Sequence, residues 1–383
     1  MRAASASTSI PDPYRAGFAL GESLASTAPE VVFLFSSVHY GHPPELLEGL
    51  HDGLNRDGVV VIGNSGDGCY ETHRATDHGA AALGIDTGGK AKWFLATARG
   101  VTANPEDATR RAVAALRAAM GGVTPSLIYL AADFHADASR IETVLRDEID
   151  VPVVGGFAAD DNKMAECFLY ANQETVNDAV VLLGVAGEVH TDISIGNALT
   201  AVGAIGEVEQ AEGTQLHRID GISAVDFIAR ETGKPVLQSD RGIVSLTIVD
   251  PEREGEKRLR AIVPGFSVEE GTLGLYGGIE RGKHVQVCLA NPESLIAEVY
   301  AMAERTAALN FEPKAAIIVS CAGRKWLLGG QIEHEVKALS DRFPAGLPIV
   351  GFPSFGEIGP LRNETGYTRN LFHNMTYVLL LVG

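Results

Sequence analysis

The same order of elements occurs three times along the chain, and it constrains the fold more than any other feature. Each copy has a continuous apolar run, a helix, a second apolar run and a loop that begins with glycine. The first apolar runs lie at residues 31–37, 126–131 and 315–320. Such runs are typical of strands that are covered on both faces of a parallel sheet. Because a strand joined through a helix to a neighbouring strand is a βαβ unit, the pattern predicts repeated βαβ units.

The segments between these units predict further strands. Adjacent strands are predicted at residues 80–85 and 92–97, and again at 178–186 and 189–195, as antiparallel pairs joined by short turns. Residues 199–289 have frequent glycines and short predicted strands separated by polar turns. We therefore predict an α/β fold of mixed α+β type, in which repeated βαβ units and mixed sheets build two halves.

The length of the chain predicts more than one domain. At 383 residues it exceeds the size of a typical single domain. Regular apolar runs pause between residues 196 and 220, which favours a boundary in that segment. We predict an N-terminal tail with a short helix at residues 1–30, a first domain at 31–215 and a second at 216–383.

The charge of the chain excludes two classes of partner. A formal net charge of −18 predicts a surface that repels nucleic acid and anionic membranes, because both bind to basic patches. No apolar run reaches the roughly 20 residues that cross a bilayer, and the first ten residues lack the pattern of a secretory signal. We expect a cytoplasmic protein with no nucleic-acid partner and no membrane partner.

Several short motifs occur in an order that resembles one known family. In chain order they are Ile-Gly-Asn-Ser-Gly-Asp-Gly at 62–68, Gly-Ile-Ser-Ala-Val-Asp at 221–226, Ser-Cys-x-Gly-Arg at 320–324, Val-Gly-Phe at 350–352, Gly-Glu-Ile-Gly-Pro at 356–360 and His-Asn-x-Thr at 373–376. From about Val31 to its end the chain thus resembles the FIST domain family, and its C-terminal part resembles the FIST C-terminal domain. The resemblance implies a FIST N-like first domain, a FIST C-like second domain and a bacterial sensory module that binds small molecules, amino acids among them, with no established reaction.

The ends of the predicted strands carry polar residues, and open α/β sheets place ligands at such ends. We therefore predict a ligand site between the two halves, bordered by the three glycine-led loops. The Glu357 carboxylate would hold an ammonium group and the Arg324 guanidinium would grip a carboxylate, so that the two together suit an amino acid. The predicted ligand-binding residues are Asn64, Ser65, Asp160, Cys321, Arg324, Phe355, Gly356, Glu357, His373 and Asn374.

A structural interpretation of the same residues stays open. Glu357 and Arg324 would then pair with each other or cap loops. His373 and Asn374 would tie the final strand to a neighbouring loop.

An enzyme is the alternative to a receptor. Cys321 would be a nucleophile, His373 its base and Glu357 a third catalytic group, acting on a small amide or an amino-acid-like substrate. No local signature of a known cysteine enzyme is present. We therefore favour a binding protein over an enzyme.

Cofactor chemistry has little support in the sequence. The glycine-led loops lack the dinucleotide and P-loop fingerprints, and acidic residues beside them would repel phosphate. The histidines and the four cysteines show no compact ligand spacing, so no metal site is predicted. Some proteins that resemble this family are taken to be haem-based gas sensors, which leaves a haem on His373 or another histidine as an alternative.

The chain shows no kinase, receiver or helix-turn-helix segment that would transmit a signal. A sensor of this kind needs a separate signalling protein as its output. Assembly into a homo-oligomer stays open.

Overall fold

The structure is a computed structural model that describes residues 1–40, 44–240, 243–249, 258–263, 270–343, 345–364 and 366–383. Residues 250–256, one of the polar turns predicted within the segment 199–289, lie outside the described residues. The helices are α1 (Pro13–Ala25), α2 (Glu45–Leu54), α3 (Pro105–Met120), α4 (Ala138–Glu148), α5 (Ala224–Thr232), α6 (Pro292–Arg305), α7 (Ala322–Leu328) and α8 (His334–Arg342). The strands are β1 (Arg2–Thr8), β2 (Val31–Ser37), β3 (Val60–Gly66), β4 (Cys69–Glu71), β5 (Arg74–Thr76), β6 (Ala80–Asp86), β7 (Ala91–Arg99), β8 (Leu127–Ala132), β9 (Val153–Phe157), β10 (Leu169–Ala171), β11 (Glu174–Val176), β12 (Ala179–Gly187), β13 (Thr191–Gly196), β14 (Thr200–Glu212), β15 (Gln215–Ile219), β16 (Ile222–Ser223), β17 (Val244–Val249), β18 (Arg258–Ala261), β19 (Leu273–Gly274), β20 (His284–Leu289), β21 (Ala315–Cys321), β22 (Ile349–Ser354), β23 (Glu357–Asn363), β24 (Gly366–His373) and β25 (Tyr377–Val382).

Three six-stranded sheets follow one plan, and the predicted βαβ units form their centres. The pairs β2–β3, β8–β9 and β21–β22 are parallel. The strand orders are β1-β6-β2-β3-β10-β11, β7-β12-β8-β9-β23-β24 and β13-β25-β21-β22-β4-β5. In each sheet two antiparallel strands flank one side of the parallel pair and a hairpin flanks the other. The predicted mixed α+β fold with mixed sheets is confirmed.

The flanking hairpins are exchanged between the repeats. Hairpin β4–β5 follows β3 along the chain but pairs with β22, and β10–β11 follows β9 but pairs with β3. Hairpin β23–β24 follows β22 but pairs with β9. Each repeat therefore completes the sheet of another repeat in a cyclic exchange, and we call the three sheets together the ring. The first and the third repeat share a sheet, since β4 and β5 join β22.

The third repeat is interrupted between β13 and α6. The described residues between 197 and 291 contain a fourth sheet in the order β16-β15-β14-β20-β17-β18, with β19 paired to β15. We call this part the inserted sheet; α5 packs on it around the buried Phe227 and Ile228. Short strands were predicted in this segment and are present, β17 and β20 among them, whereas β14 has no apolar run because most of its side chains are exposed. The predicted boundary at 215/216 lies within β15.

The glycine-led loops were predicted to begin where strands in fact continue. Strands β3, β9 and β22 run past Gly63, Gly155 and Gly351. A Cβ atom at these positions would lie 1.7, 2.0 and 2.1 Å from the carbonyl oxygens of the paired strands. Glycine is needed there because two backbones approach closely. Such a close approach is one of the known reasons for a glycine within a strand.

The two predicted antiparallel pairs are also wrong. Strand β6 pairs with β1 and β2, whereas β7 belongs to the next sheet and pairs with β12. Strands β12 and β13 are separated between two sheets in the same way. The short turns after β6 and β12 therefore connect successive repeats and are not the turns of hairpins.

The main core lies between the inner faces of the three sheets. Aromatic rings from different repeats meet there, with Phe35 stacked on Phe352 at 4.7 Å and Phe33 edge-on to Tyr129 at 5.1 Å. Outside the ring, α1 packs on α2, α3 on α4 and α6 on α8. None of the helices in the described part of the chain is long and apolar enough to cross a membrane.

Candidate functional site

The ends of β3, β9 and β22 are tied together by three backbone hydrogen bonds. They run from Asp67 N to Pro353 O (3.0 Å), from Ala159 N to Ser65 O (2.9 Å) and from Phe355 N to Phe157 O (3.3 Å). Each acceptor lies two residues after the close-approach glycine of its repeat, and each donor lies four residues after it. The three segments predicted to border the site therefore meet at one end of the ring of sheets.

Two of the predicted residues, Asn64 and Ser65, are fully buried at this junction. The Ser65 hydroxyl donates to Ala159 O at 2.9 Å and accepts from Phe168 N at 3.1 Å. The Asn64 side-chain amide donates to Ser65 O at 2.9 Å, and its Oδ1 has no hydrogen-bond partner among the described residues. The Ser65 side chain thus fastens the end of β3 to the segment between β9 and β10, whereas the hydrogen bond of Asn64 stays within β3.

Asp160 organises that segment. Its carboxylate accepts four backbone hydrogen bonds, at 2.9, 2.9, 2.7 and 3.4 Å, from the amides of residues 163 to 166. The side chain is 1% exposed. In this conformation Asp160 caps a loop, as a carboxylate does at exposed backbone amides.

Glu357 begins β23 and is fully buried. Its Oε1 accepts from the Ser354 hydroxyl, and its Oε2 accepts from the Thr376 hydroxyl at 2.8 Å and the Thr376 amide at 3.3 Å. Burial raises the pKa of Glu357 to about 8, although these hydrogen bonds act in the opposite direction. The preceding residue, Gly356, accepts from Phe157 N at 2.8 Å and so joins the tight turn to β9.

His373 lies opposite Glu357 in the hairpin and is also fully buried. Its Nε2 is 3.0 Å from Gly359 O, while Nδ1 has no partner among the described residues. Burial lowers the pKa of His373 to about 4. Because Nε2 already contacts Gly359, a haem iron bound through that nitrogen would have to displace the contact.

Cys321 ends β21 and is buried. Burial and the negative charge of Glu357 raise its pKa, which disfavours the thiolate that a nucleophile requires. No hydrogen bond joins the Cys321 thiol to His373 within the described ranges. Asn374 follows His373 and accepts from Ala261 N at 3.0 Å, so it links the ring to the inserted sheet.

Arg324 lies on α7 and makes its hydrogen bonds to α6 and α8. Its Nε donates to Glu335 at 2.7 Å, and both side chains have no exposed surface. It also donates to Leu295 O at 3.4 Å. The partner of Arg324 is therefore Glu335 on α8 and not Glu357, and the pair joins α7 to α6 and α8.

Sequence reasoning missed the two residues that follow Arg324. The Lys325 ammonium donates to Asp67 Oδ1 at 2.9 Å and to Asp77 at 2.7 Å, and Trp326 Nε1 donates to Asp67 Oδ2 at 2.8 Å. These bonds fix the start of α7 on the turn between β3 and β4. Their only signal in the sequence is position, since Lys325 and Trp326 lie in the first turn after a predicted strand.

A group of aromatic side chains surrounds Phe355 where the ring meets the inserted sheet. The Phe355 ring lies 5.1 Å from Phe134, 6.2 Å from Trp326 and 6.4 Å from Tyr276, which belongs to the inserted part. Beside them is a cavity of about 410 Å³, which we call the aromatic cleft. Its lining includes Phe134, His135, Phe157, Met164, Val263, Leu275, Tyr276, Phe355 and Phe372.

A second, narrower space adjoins the aromatic cleft. Cys321, Ser354 and Asn374 line it together with Tyr276 and Phe355. Its volume of about 10 Å³ is near the minimum for a single water molecule. Three predicted residues, Cys321, Phe355 and Asn374, are thus brought together, but in this conformation the space beside the thiol is almost filled.

A buried charge cluster attaches the inserted sheet to the ring. Glu142 on α4 accepts from Arg260 at 2.9 Å and from Arg258 at 3.3 Å. Arg260 also donates to Phe372 O at 3.0 Å and lies 4.8 Å above the Phe372 ring. The wall of the aromatic cleft at Phe372 is therefore held by the same contacts that dock the inserted sheet.

Comparison with known proteins gives relatives of modest similarity. Protein MT0656 of Mycobacterium tuberculosis is 24% identical over 254 residues, which cover 63% of this chain and 63% of that protein. Protein MJ1623 of Methanocaldococcus jannaschii is 24% identical over 250 residues, which cover 59% of this chain and 48% of that protein. The matched region therefore spans less than two thirds of the length of these curated relatives.

Among solved structures, a cyanuric acid hydrolase from A. caulinodans aligns over 100% of this chain and 98% of its own, with 10% identity and a TM-score of 0.33. PurLQS from Thermotoga maritima aligns over 100% of this chain and 72% of its own, with 12% identity and a TM-score of 0.22. Neither score is high enough to support an argument about function.

The domain comparison is more extensive. The FIST N domain matches residues 30–222 and the FIST C domain matches residues 224–360. Together they account for nearly the whole chain, so this protein belongs to the FIST family, whose domains are generally taken to sense small ligands.

Proposed function

We propose that this protein is a cytoplasmic sensor that binds a small molecule in the aromatic cleft. The observation that carries the proposal is the convergence of Phe134, Phe355 and Tyr276 from three separate parts of the chain around one cavity. Its volume of about 410 Å³ lies within the range of about 300 to 1,000 Å³ that is usual for ligand pockets. Clefts between two packed parts of a protein, such as the ring and the inserted sheet, are also common ligand sites.

The lining of the cleft favours a ligand with a flat apolar body. Aromatic rings and the Met164 thioether provide most of the walls, and only a few polar side chains, among them His135, Asp137 and Thr214, reach the cavity. Offset stacking on aromatic rings is favourable for a planar group. An aromatic amino acid or a related metabolite has this character.

In this proposal Arg324 and Glu357 shape the site without touching the ligand. Arg324 is paired with Glu335, and Glu357 is enclosed by Ser354 and Thr376. The polar end of the ligand is recognised by His135, Asp137 and Thr214 at the rim. These three residues replace the zwitterion clamp that the sequence predicted.

The position of the cleft, between the ring and the inserted sheet, provides a way for ligand binding to produce a signal. A ligand that contacts both Phe134 of the ring and Tyr276 of the inserted sheet favours whichever arrangement brings them closer, because it binds that arrangement more tightly. A separate signalling protein reads this change. The formal net charge of −18 favours a protein over nucleic acid as that partner.

The test is a thermal-shift screen of the purified protein with aromatic amino acids, their amine and keto-acid derivatives and polyamines. A ligand at a hundredfold its dissociation constant adds about 2.7 kcal/mol to the free energy of unfolding. We expect an aromatic probe to raise the Tm by several degrees and Tyr276→Ala to abolish the shift. The matched control is Tyr300→Ala, a half-buried tyrosine on α6 beside His334. The proposal is wrong if no aromatic probe shifts the Tm, or if Tyr276→Ala leaves the shift unchanged.

A further inference from the structure

Three side chains with different metal-binding atoms converge beside the aromatic cleft. They are the Asp133 carboxylate, the His135 imidazole and the Cys167 thiol, and their ligand atoms all lie within 4.8 Å of one another. Asp133 directly follows β8, and Cys167 lies shortly before β10. Within the described ranges this is the one set of three histidine, cysteine or acidic side chains that meets this distance.

The carboxylate of Asp133 is held in place by the backbone. Its Oδ2 accepts from Asp178 N at 2.7 Å, and its Oδ1 accepts from His135 N at 2.9 Å. The same Oδ1 lies 2.7 Å from His135 Nδ1. Two of the three groups therefore have fixed relative positions before any ligand binds.

The thiol of Cys167 is brought to them by a rigid segment. The Asp160 carboxylate fixes four amides of that segment, and Phe168 N donates to the Ser65 hydroxyl at 3.1 Å. Cys167 is 3% exposed, and its sulfur lies within 4.8 Å of the ligand atoms of Asp133 and His135. Two of the predicted site residues, Ser65 and Asp160, hold this loop together. The loop in turn places the Cys167 sulfur next to Asp133 and His135.

We propose that Asp133, His135 and Cys167 form a binding site for a divalent transition-metal ion of the zinc type. Sulfur and imidazole nitrogen are ligands that Zn²⁺ prefers, whereas Mg²⁺ and Ca²⁺ require oxygen ligands. Three protein ligands leave one position of a tetrahedral ion for water or another small ligand. His135 lines the aromatic cleft and its side chain is 39% exposed, which provides a path for the ion.

The protons balance in a simple way. The Cys167 thiol gives up its proton to solvent when sulfur binds the metal. A neutral imidazole moves its N–H to the other ring nitrogen, so that the nitrogen facing Asp133 becomes a ligand. Asp133 binds as the carboxylate. Metal binding therefore releases one proton and becomes tighter as the pH rises.

The spacing of residues in the sequence did not reveal this metal site. His135 and Cys167 lie in different segments of the second repeat, and only the folding of the loop after β9 brings them together. Short spacings such as Cys-x-x-Cys detect sites within one turn or one helix, whereas Cys167 lies far along the chain from the neighbouring Asp133 and His135.

The test is titration of the full-length protein with Co²⁺ followed by competition with Zn²⁺. Cobalt bound to a thiolate gives a charge-transfer band in the near ultraviolet as well as visible bands. We expect one Co²⁺ per chain, displaced by Zn²⁺, with the near-ultraviolet band absent in Cys167→Ser. His135→Ala should weaken binding at least about tenfold, since even outer-sphere changes cost about 10 to 100-fold.

Matched controls are His78→Ala and Cys69→Ser, which change a second histidine and another buried cysteine outside the set. Both controls should titrate like the unmodified protein. Because His135 is partly exposed, His135→Ala keeps the test valid if Cys167→Ser does not fold. The proposal is overturned if cobalt does not saturate at one site, or if His135→Ala titrates like the unmodified protein. This outcome is independent of the search for an organic ligand, because the probe is the metal alone.

Discussion

Glu357 and His373 lie directly opposite each other in the β23–β24 hairpin, and neither side chain has exposed surface. Burial raises the pKa of the carboxyl to about 8 and lowers the pKa of the imidazole to about 4. Near pH 7 both groups are therefore mainly neutral. A neutral carboxyl provides no charge for an ammonium group, so the hairpin is better suited to packing than to holding an ion.

This pair predicts a specific dependence of stability on pH. From the ordinary pKa of 4.5 up to about 8, the folded state binds the Glu357 proton and the unfolded state does not, so stability falls as pH rises. From about 4 to the ordinary 6.5, the unfolded state binds the His373 proton and the folded state does not, so stability rises with pH. The two effects oppose each other between about pH 4.5 and 6.5. Above that range Glu357 acts alone.

We therefore expect the free energy of unfolding to fall by about 2 kcal/mol between pH 6.5 and 8 through Glu357, at about 1.4 kcal/mol per pH unit. Urea denaturation at several pH values measures this slope. Glu357→Gln should remove it, because the amide does not titrate. The control is Glu304→Gln, at an exposed position of α6. An unchanged slope in Glu357→Gln would show that the carboxyl is ionised in the folded protein.

The close-approach glycines give a second prediction. A Cβ atom on Gly351 would lie 2.1 Å from Ile318 O, and both atoms belong to backbones in the centre of a sheet. We expect Gly351→Ala to lower the free energy of unfolding by about 3 kcal/mol or more, because neither strand can move aside without disturbing its ladder. Gly330→Ala is the matched control, since a Cβ there meets no atom within 4 Å. Equal effects of the two substitutions in urea denaturation would contradict the prediction.

The parts of the fold that depend on local sequence could be predicted. Each strand of the βαβ units was visible because a run such as residues 31–37 has the length and apolar character of a buried strand. The hairpins could not be assigned to their sheets. Strand β4 pairs with β22, which lies far along the chain, and the sequence of neither strand indicates its partner. The glycines were correctly singled out, but their role was misread. A glycine that permits close approach and a glycine that permits a turn look the same in a sequence.

The residues of the site also divide into those that the local sequence predicted and those that it did not. Phe355 was predicted from its position after a buried strand, and it lies at the centre of the aromatic group. Tyr276 was missed because it comes from the inserted sheet, where short strands give weak patterns. Arg324 was predicted to grip a ligand carboxylate or to pair with Glu357, whereas its partner is Glu335, which lies on a helix that only the folded chain brings beside it. Contacts between distant segments decide which of several charged residues meet.

The Arg324–Glu335 pair provides a third prediction. Removing one member of a buried ion pair leaves an uncompensated charge and costs about 3 to 5 kcal/mol. We expect Arg324→Met to cause a loss of this size in urea denaturation. Replacing both residues, as Arg324→Met with Glu335→Gln, should recover part of it, because the amide carries no charge and still accepts from the Tyr70 hydroxyl. If Arg324→Met left stability unchanged, the pair would not be formed in solution.

The docking of the inserted sheet can be tested at Glu142, which accepts from Arg258 and Arg260 in the buried interface. Glu142→Ala leaves two cations without an anion there, and we expect a loss of about 3 to 5 kcal/mol in the free energy that holds the inserted sheet to the ring. Hydrogen exchange of β17 and β20 measures it, since their amides should exchange faster while those of β2 and β8 do not. The control is Glu106→Ala, which breaks an ion pair with the more exposed Arg140 and should cost less than about 1 kcal/mol. Faster exchange throughout the ring would instead mean that the inserted sheet and the ring unfold together, and the cleft between them would then have no independent motion with which to report a ligand.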